Sequence, residues 1–175
     1  MKRSVRYLLL GFAVAVLAAT GFVGDLKAGA AEDADLVPFI ALLTGGQEVP
    51  ANMSKASGVA FMTFDEGTKM LKYSITYSDE KLSSFEVAAH FHASAIPGVA
   101  APVAFPLMPA GSPKVGEVGP FTLEQAKDLK KGLFYINIHT TLYPGGEIRG
   151  QVLPVGKGLE YDLPEADEPD EPDNE

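Results

Sequence analysis

Hydrophobic and polar residues alternate in short runs along most of the chain after Val37, and turn residues separate the runs. Such alternation is typical of strands with one buried face, because successive side chains point to opposite sides of a sheet. In "MLKYSITYSD", for example, Leu71, Tyr73, Ile75 and Tyr77 share one face. The other predicted strands are "VPFIALLTG", "GVAFMTFDEG", "SSFEVAAHFHAS", "IPGVAAPVAFPL", "FYINIHTTL" and "GEIRGQVLP". About seven short strands predict an all-β antiparallel sandwich or barrel.

One segment has the pattern of a helix instead. In "FTLEQAKDLKKG", Thr122 stands at the N-cap position and Gln125 follows three residues later, which is the pattern of a capping box. Leu123, Ala126 and Leu129 are predicted to line one side, and Gly132 to end the helix. The fold class is therefore all-β with one short helix.

Both ends of the chain differ in composition from this central part. Residues 1–30 open with basic residues, continue with a short apolar run and end at Ala28-Gly29-Ala30, which predicts a cleaved signal peptide. An uncleaved anchor is the alternative, although the run is shorter than the roughly 20 residues of a spanning helix. Residues 31–36 are predicted to be a linker and 37–159 the domain. Residues 160–175 contain nine acidic residues and no basic ones, which predicts a disordered acidic tail.

Charge and cysteine content narrow the possible functions. Residues 36–159 contain ten acidic and ten basic residues, so the net charge of −9 comes from the ends of the chain. The domain has no basic stretch, which argues against nucleic acid as a partner. The absence of cysteine excludes disulfides, thiolate metal ligands and cysteine nucleophiles. The sequence predicts a periplasmic or extracellular protein with no membrane span after cleavage.

Several motifs together resemble a known family. The segments "FIALLTGGQEVPA", "HFH", "APVAFPL", "FTLEQAKDLKKGLFYINIHT" and "PGGEIRGQV" occur in the order seen in the CHRD domain, which is named after chordin and occurs singly in many secreted bacterial proteins. The resemblance covers about residues 38–153 and implies an immunoglobulin-like β-sandwich. Ala51 replaces a proline that is usual in the family, and "ASAIPG" follows the histidine pair where glycine is frequent.

The three histidines of the chain all lie in two predicted strands. His90 and His92 alternate with the apolar residues of "EVAAHFHA", and His139 shares a face with Asn137 in "FYINIHTT". All three are therefore predicted to project away from the core. One interpretation is that they are surface histidines on solvated strands. The other is a three-imidazole site for a transition metal, with copper favoured over zinc because of its higher affinity for nitrogen ligands.

The last hairpin supplies further candidates. We predict a three-residue loop at 144–146 that pairs Ile138 with Val152 and His139 with Gln151. Glu147 and Arg149 would then share the face of the histidines, and Glu147, Asn137, Glu48 or Arg149 is expected to be a ligand or to orient an imidazole. For Glu147 and Arg149, however, the favoured expectation is an ion pair with each other or with Glu48.

Three classes of function remain open. The first is a protein that binds or delivers a metal ion. The second is an extracellular protein-interaction module without a metal, as the occurrence of the domain in an animal growth-factor antagonist implies. The third is a small redox or hydrolytic metalloenzyme with an open coordination position. No catalytic residue is assigned, and an enzyme is the less favoured interpretation.

Overall fold

The computed structural model describes residues 35–156, which fold into a single antiparallel sheet with one short helix. The predicted signal peptide, the first part of the linker and the acidic tail lie outside the described residues. Within 35–156, no helix is both long and apolar enough to cross a membrane. The strands are β1 (Leu36–Thr44), β2 (Ser57–Asp65), β3 (Met70–Tyr77), β4 (Glu86–His92), β5 (Val103–Pro106), β6 (Lys114–Val118), β7 (Tyr135–Thr140), β8 (Ile148–Gln151) and β9 (Leu153–Pro154). The helix is α1 (Leu123–Lys130), and short 3-10 turns occupy Gly45–Gln47 and Asp79–Lys81.

The strand order places elements from opposite ends of the sequence side by side. The sheet runs β5-β4-β7-β8-β1-β2-β3-β6, and β9 pairs with β1. Across the remaining opening, Lys114 of β6 forms an ion pair with Glu86 of β4 at 2.7 Å. The sheet is thus almost closed into a barrel, and the predicted all-β class with one short helix is confirmed.

The apolar side chains of the strands point into the barrel interior. All four alternating residues Leu71, Tyr73, Ile75 and Tyr77 are buried, as predicted. In β2, Val59 and Phe61 share the outward face, and Phe61 is 60% exposed. Burying a large apolar side chain stabilises a fold by about 1.5–3 kcal/mol, so the strand alternation determines which face turns inward.

The helix begins as predicted but presents a different set of residues to the core. Thr122 accepts a hydrogen bond from the Gln125 amide, and the Gln125 side chain accepts one from Thr122, which completes the capping box. Ala126 and Leu129 are buried. Leu123, which was predicted to line the same side, is 80% exposed, because the first residue of this short helix lies at the rim beyond the packed turn.

The register of the last hairpin differs from the prediction, and strand β4 contains a bulge. In the β7–β8 hairpin, Ile138 pairs with Ile148 and Asn137 with Arg149, so the register is four residues away from the predicted one. A shift by an even number leaves the paired residues of β7 and β8 on their predicted faces. Glu147, which precedes β8, instead contacts Thr140 on the opposite face from the histidines. In β4, the register shifts by one residue at Val87, which is 54% exposed. This β-bulge reverses the alternation, so Glu86 turns towards Lys114 instead of sharing the face of the histidines.

Candidate metal centre

The histidine-bearing strands β4 and β7 are neighbours in the sheet. His90 lies opposite Asn137, His92 opposite Tyr135, and Ala88 opposite His139. Side chains at these positions point to the same face, because the register between 88 and 92 is regular. The opposite face of both strands is apolar alongside the histidines, with Ala89, Phe91, Ile136 and Ile138 all buried in the barrel core. The apolar alternation therefore forces the imidazoles together on the outer side of the sheet.

The three imidazoles converge on one point. One ring nitrogen of each of His90, His92 and His139 lies within 4.8 Å of the others. His90 Nδ1 and His139 Nε2 are 3.1 Å apart. Nitrogens bound at about 2.0–2.1 Å to one tetrahedral ion lie roughly 3.3 Å apart, so this pair already has the spacing of two ligands.

Backbone carbonyls fix the protonation of two of the rings. His92 Nδ1 lies 2.8 Å from the Ala101 carbonyl oxygen, and His139 Nδ1 lies 2.9 Å from that of Pro144. A carbonyl only accepts hydrogen bonds, so each Nδ1 carries the proton and each Nε2 keeps its lone pair. This is the usual arrangement around metal-binding histidines, in which the distal N–H group donates to a carbonyl and orients the ring.

Asn137 lies between the two free nitrogens. Its side-chain oxygen position is 2.9 Å from both His92 Nε2 and His139 Nε2. With oxygen at this position and both Nε2 atoms unprotonated, only acceptors face one another, so a proton on one Nε2 or a bound cation is needed to hold them together. With the amide rotated by a half-turn, its NH₂ group donates to both rings without a metal. The cluster therefore has one arrangement suited to the metal-free protein and one suited to a bound ion.

This polar face is not the solvated surface that the sequence suggested. His92 is only 7% exposed, whereas His90 and His139 are half-buried. The segment 93–102 covers the face, and its Ala101 carbonyl is the acceptor for His92. The interpretation of three solvated surface histidines is therefore wrong for His92.

Tyr135 and Arg149 extend the cluster sideways across the sheet. The rings of His92 and Tyr135 stack with centroids 4.5 Å apart and planes within 5° of parallel. The Arg149 guanidinium carbon lies 3.5 Å from the centre of the Tyr135 ring, a favourable cation–π contact. Because β7 lies between β4 and β8, the tyrosine ring separates the arginine from the histidine. The sequence did not predict that Tyr135 stacks between these two side chains, although the strand alternation places it on the same face as Asn137.

Glu147 contacts hydroxyl groups rather than imidazoles. Its carboxylate accepts hydrogen bonds from Ser54 Oγ, from the backbone amide and Oγ of Ser83, and from Thr140 Oγ1, at 2.7–2.9 Å. Burial raises the pKa of Glu147, but the hydrogen bonds from these three residues outweigh it, so the pKa lies below its ordinary value. Glu147 is thus an ionised carboxylate that joins two loops to the β7–β8 hairpin.

The predicted ion pair of Arg149 with Glu147 or Glu48 is not formed. In the described part of the chain, the two ion pairs are formed by Lys114 and Lys130. Arg149 Nη2 instead donates a hydrogen bond to the Val99 carbonyl at 2.7 Å. The covering segment 93–102 supplies this acceptor, and it could not be placed from the sequence. Glu48 lies against Gly146, where a Cβ atom would collide with its carboxylate.

The surroundings of His90 and His92 favour neutral imidazoles. Burial lowers the pKa of His90, and the neighbouring His139 and His92 lower it further. Burial also lowers the pKa of His92, although hydrogen bonds to Ala101 and Asn137 act in the opposite direction. A neutral imidazole is the form that binds a metal ion, so the fold prepares these rings for coordination.

The lowered histidine pKa values predict a pH-dependent stability. The unfolded chain takes up protons at about pH 6.5, before the folded protein does, so metal-free protein should lose stability as the pH falls through this value. The raised pKa of Glu48, about 7, acts oppositely in the same window. We therefore expect melting temperatures in EDTA to fall more steeply between about pH 8 and pH 5 in the wild type than in His92→Asn, which retains Glu48. Parallel profiles would contradict the lowered pKa of His92.

Comparison with known proteins supplies the family. The sequence model of the CHRD domain matches residues 39–152, which is more than half of the chain and includes all three histidines. No match was found among curated proteins or among solved structures. The matched range contains every motif on which the resemblance was based. The chain therefore belongs to the CHRD domain family.

Proposed function

We propose that this CHRD-domain protein is exported and binds one transition metal ion through His90, His92 and His139. The observation that supports the proposal is the convergence of three imidazole nitrogens within 4.8 Å. Two of the rings, those of His92 and His139, direct their Nδ1 protons away to backbone carbonyls. Ordinary surface histidines have no need of such fixed tautomers. The half-buried position of the cluster also reduces competition from water.

The donor set indicates the kind of metal. Three neutral imidazoles suit zinc and copper, whereas hard cations such as Mg²⁺ and Ca²⁺ prefer oxygen ligands. Copper is favoured over zinc because it binds a given nitrogen site more tightly. Asn137 lies within hydrogen-bond distance of two of the rings and orients them. No carboxylate belongs to the cluster among the described residues.

Metal binding or delivery is the favoured role. His90 and His139 are only half-buried, so one side of the cluster is accessible to solvent or to a donor molecule. The same opening suits the alternative of a redox or hydrolytic enzyme, because catalytic metal sites keep a position free for substrate or water. No group in the described residues is assigned to a chemical step.

Metal content tests the proposal. Protein purified without a histidine tag should contain about one equivalent of copper or zinc per chain, and the content should fall below about pH 6 as the imidazoles become protonated. His139→Ala should lose the metal, because it removes one ligand without entering the barrel core. Glu117→Gln, an exposed change on β6, should retain it. Equal metal content in all three proteins would contradict the proposal.

Export is tested independently of the metal. The basic start, short apolar run and Ala28-Gly29-Ala30 support cleavage after Ala30. Mass spectrometry of the native protein should find a mature N-terminus at Ala31 in the periplasmic or extracellular fraction. A full-length mass, or a mature chain in the cytosol, would contradict this prediction.

A second candidate function is supported by a different surface. On the outer face of the sheet, a groove of about 640 Å³ is lined by residues that include Phe61, Val115 and Val155, which are 60%, 71% and 53% exposed. Exposed apolar patches of this kind occur at protein-interaction sites. An interaction module without a metal becomes the better interpretation if the histidine substitutions leave metal content unchanged.

A further inference from the structure

A small polar cavity lies beside the histidine cluster, and none of the three histidines lines it. The cavity has a volume of about 220 Å³ and lies between the 3-10 turn after β1, the covering segment 93–102 and strand β8. Its rim is exposed and its floor is buried. The rim residues are Gly46, Gln47, Pro97 and Gly98, and the floor residues are Glu48, Arg149 and Gln151.

Glu48 provides an acceptor without a partner on this floor. The residue is only 6% exposed, and its Oε1 atom is buried with no hydrogen-bond partner. Burial raises the pKa of Glu48 to about 7, although Arg149 acts to lower it. Buried polar atoms in folded proteins are nearly always hydrogen-bonded, so an orphaned carboxylate oxygen indicates a missing partner.

Arg149 provides the opposite charge on the same floor. It is 2% exposed, and it is held in place by the Tyr135 ring and by its hydrogen bond to the Val99 carbonyl. Burial lowers its pKa, and the nearby Glu48 acts in the opposite direction. Both charged groups line the cavity, yet within residues 35–156 no ion pair joins them. Two buried charges of opposite sign therefore face a shared space without direct contact.

This arrangement restricts the chemistry of a ligand. A molecule with a single charge would pair with one wall and leave the other buried charge uncompensated, which is costly. A molecule that carries a positive donor and a negative acceptor would satisfy both. The cavity is smaller than the roughly 300 Å³ of the smallest typical drug-sized pockets, so the ligand contains few heavy atoms.

We propose that this cavity binds a small zwitterion whose ammonium group pairs with Glu48 and whose carboxylate pairs with Arg149, as in a free amino acid of the size of glycine. Gln151 contributes a rigid side of the floor, because its Nε2 atom already donates to the Ala95 and Gly132 carbonyls at 2.8 and 2.7 Å. The site needs no metal, so the proposal is independent of the proposed copper site.

Nuclear magnetic resonance titration of metal-free protein with glycine tests the site. Glycine should shift the backbone amide signals of Gly46 and Gly98 in a saturable manner, at concentrations up to about 50 mM. Acetate and methylammonium, which each carry one of the two charges, should bind at least about tenfold more weakly. If either single-charge probe binds as well as glycine, or if glycine causes no saturable shift, the proposal is overturned.

Variants separate the site from nonspecific effects. Glu48→Gln should weaken glycine binding at least about tenfold, a change of 1.4 kcal/mol or more, whereas the exposed control Glu117→Gln should not. Arg149→Lys keeps a positive charge on the floor but loses the planar guanidinium that pairs with a carboxylate through two hydrogen bonds. It should also weaken glycine binding about tenfold, and it decides the matter if Glu48→Gln fails to fold. Unchanged binding in Arg149→Lys would place the glycine elsewhere and contradict the proposal.

Discussion

Lys114→Met should lower the free energy of unfolding by about 3–5 kcal/mol, because it leaves the buried Glu86 carboxylate without its cation. The side chains of Lys114 and Glu86 are 1% and 5% exposed, and their charged atoms are 2.7 Å apart. Glu86 also accepts hydrogen bonds from the Tyr77 hydroxyl and, at 2.6 Å, from the Gly111 amide. This group joins β3, β4 and β6 where the barrel closes, so its loss should loosen the seam. Urea unfolding measures the change.

The chain contains a matched control for this prediction. Lys130 and Glu66 form an ion pair at the same distance, 2.7 Å, but their side chains are 40% and 35% exposed. Lys130→Met should therefore cost only about 0–1 kcal/mol. Similar losses of unfolding free energy in the two variants would show that the contribution of the Lys114–Glu86 pair does not depend on its burial. Lys114→Met combined with Glu86→Gln should recover part of the loss, because no uncompensated charge then remains.

Glu147→Ala should have a comparable effect, about 3 kcal/mol or more, by removing the acceptor of four hydrogen bonds at once. The carboxylate is fully buried, and its donors come from Ser54, Ser83 and Thr140. The two serines lie in loops before β2 and β4, so both loops lose an anchor to the β7–β8 hairpin. Ser54→Ala, which removes one donor, should cost only about 1 kcal/mol.

The lowered pKa of Glu147 gives this prediction a pH signature. A carboxylate whose folded pKa lies below its unfolded value contributes stability above the unfolded pKa, near 4.5, and loses it as the pH falls through the folded pKa. The difference in unfolding free energy between wild type and Glu147→Ala should thus shrink on acidification below about pH 4.5. A difference that stays constant down to pH 2 would contradict an ionised Glu147.

The alternation of residues was sufficient to predict the faces of the strands but not their partners. His90, His92 and His139 were placed on one side of their strands from a period of two alone. The adjacency of β4 and β7 depends on contacts between residues about 50 positions apart, and one sequence contains no local signal for it. The hairpin register was wrong by four residues, yet the paired residues of β7 and β8 kept their predicted faces because the error was even. Glu147, outside the paired region, did not.

Two features of the site had no recognisable signal in the sequence. The bulge at Val87 interrupts an otherwise regular alternation, and it redirects Glu86 to the barrel seam. The segment 93–102 folds over the outer face and buries polar residues that the pattern predicted to be solvated. An apolar–polar alternation is the same whether the polar face meets water or a loop, so burial of His92 and Arg149 depends on tertiary structure alone.

Copper titration by calorimetry tests the three-histidine site most directly. Wild type, His92→Ala and a variant lacking residues 160–175 should be compared at about pH 7.5, where the imidazoles are neutral. The histidine cluster predicts one tight site per chain in the wild type and in the tail deletion, a rise in melting temperature on binding, and loss of both effects in His92→Ala. Binding of copper to His92→Ala with the stoichiometry and affinity of the wild type, or loss of binding only in the tail deletion, would contradict it.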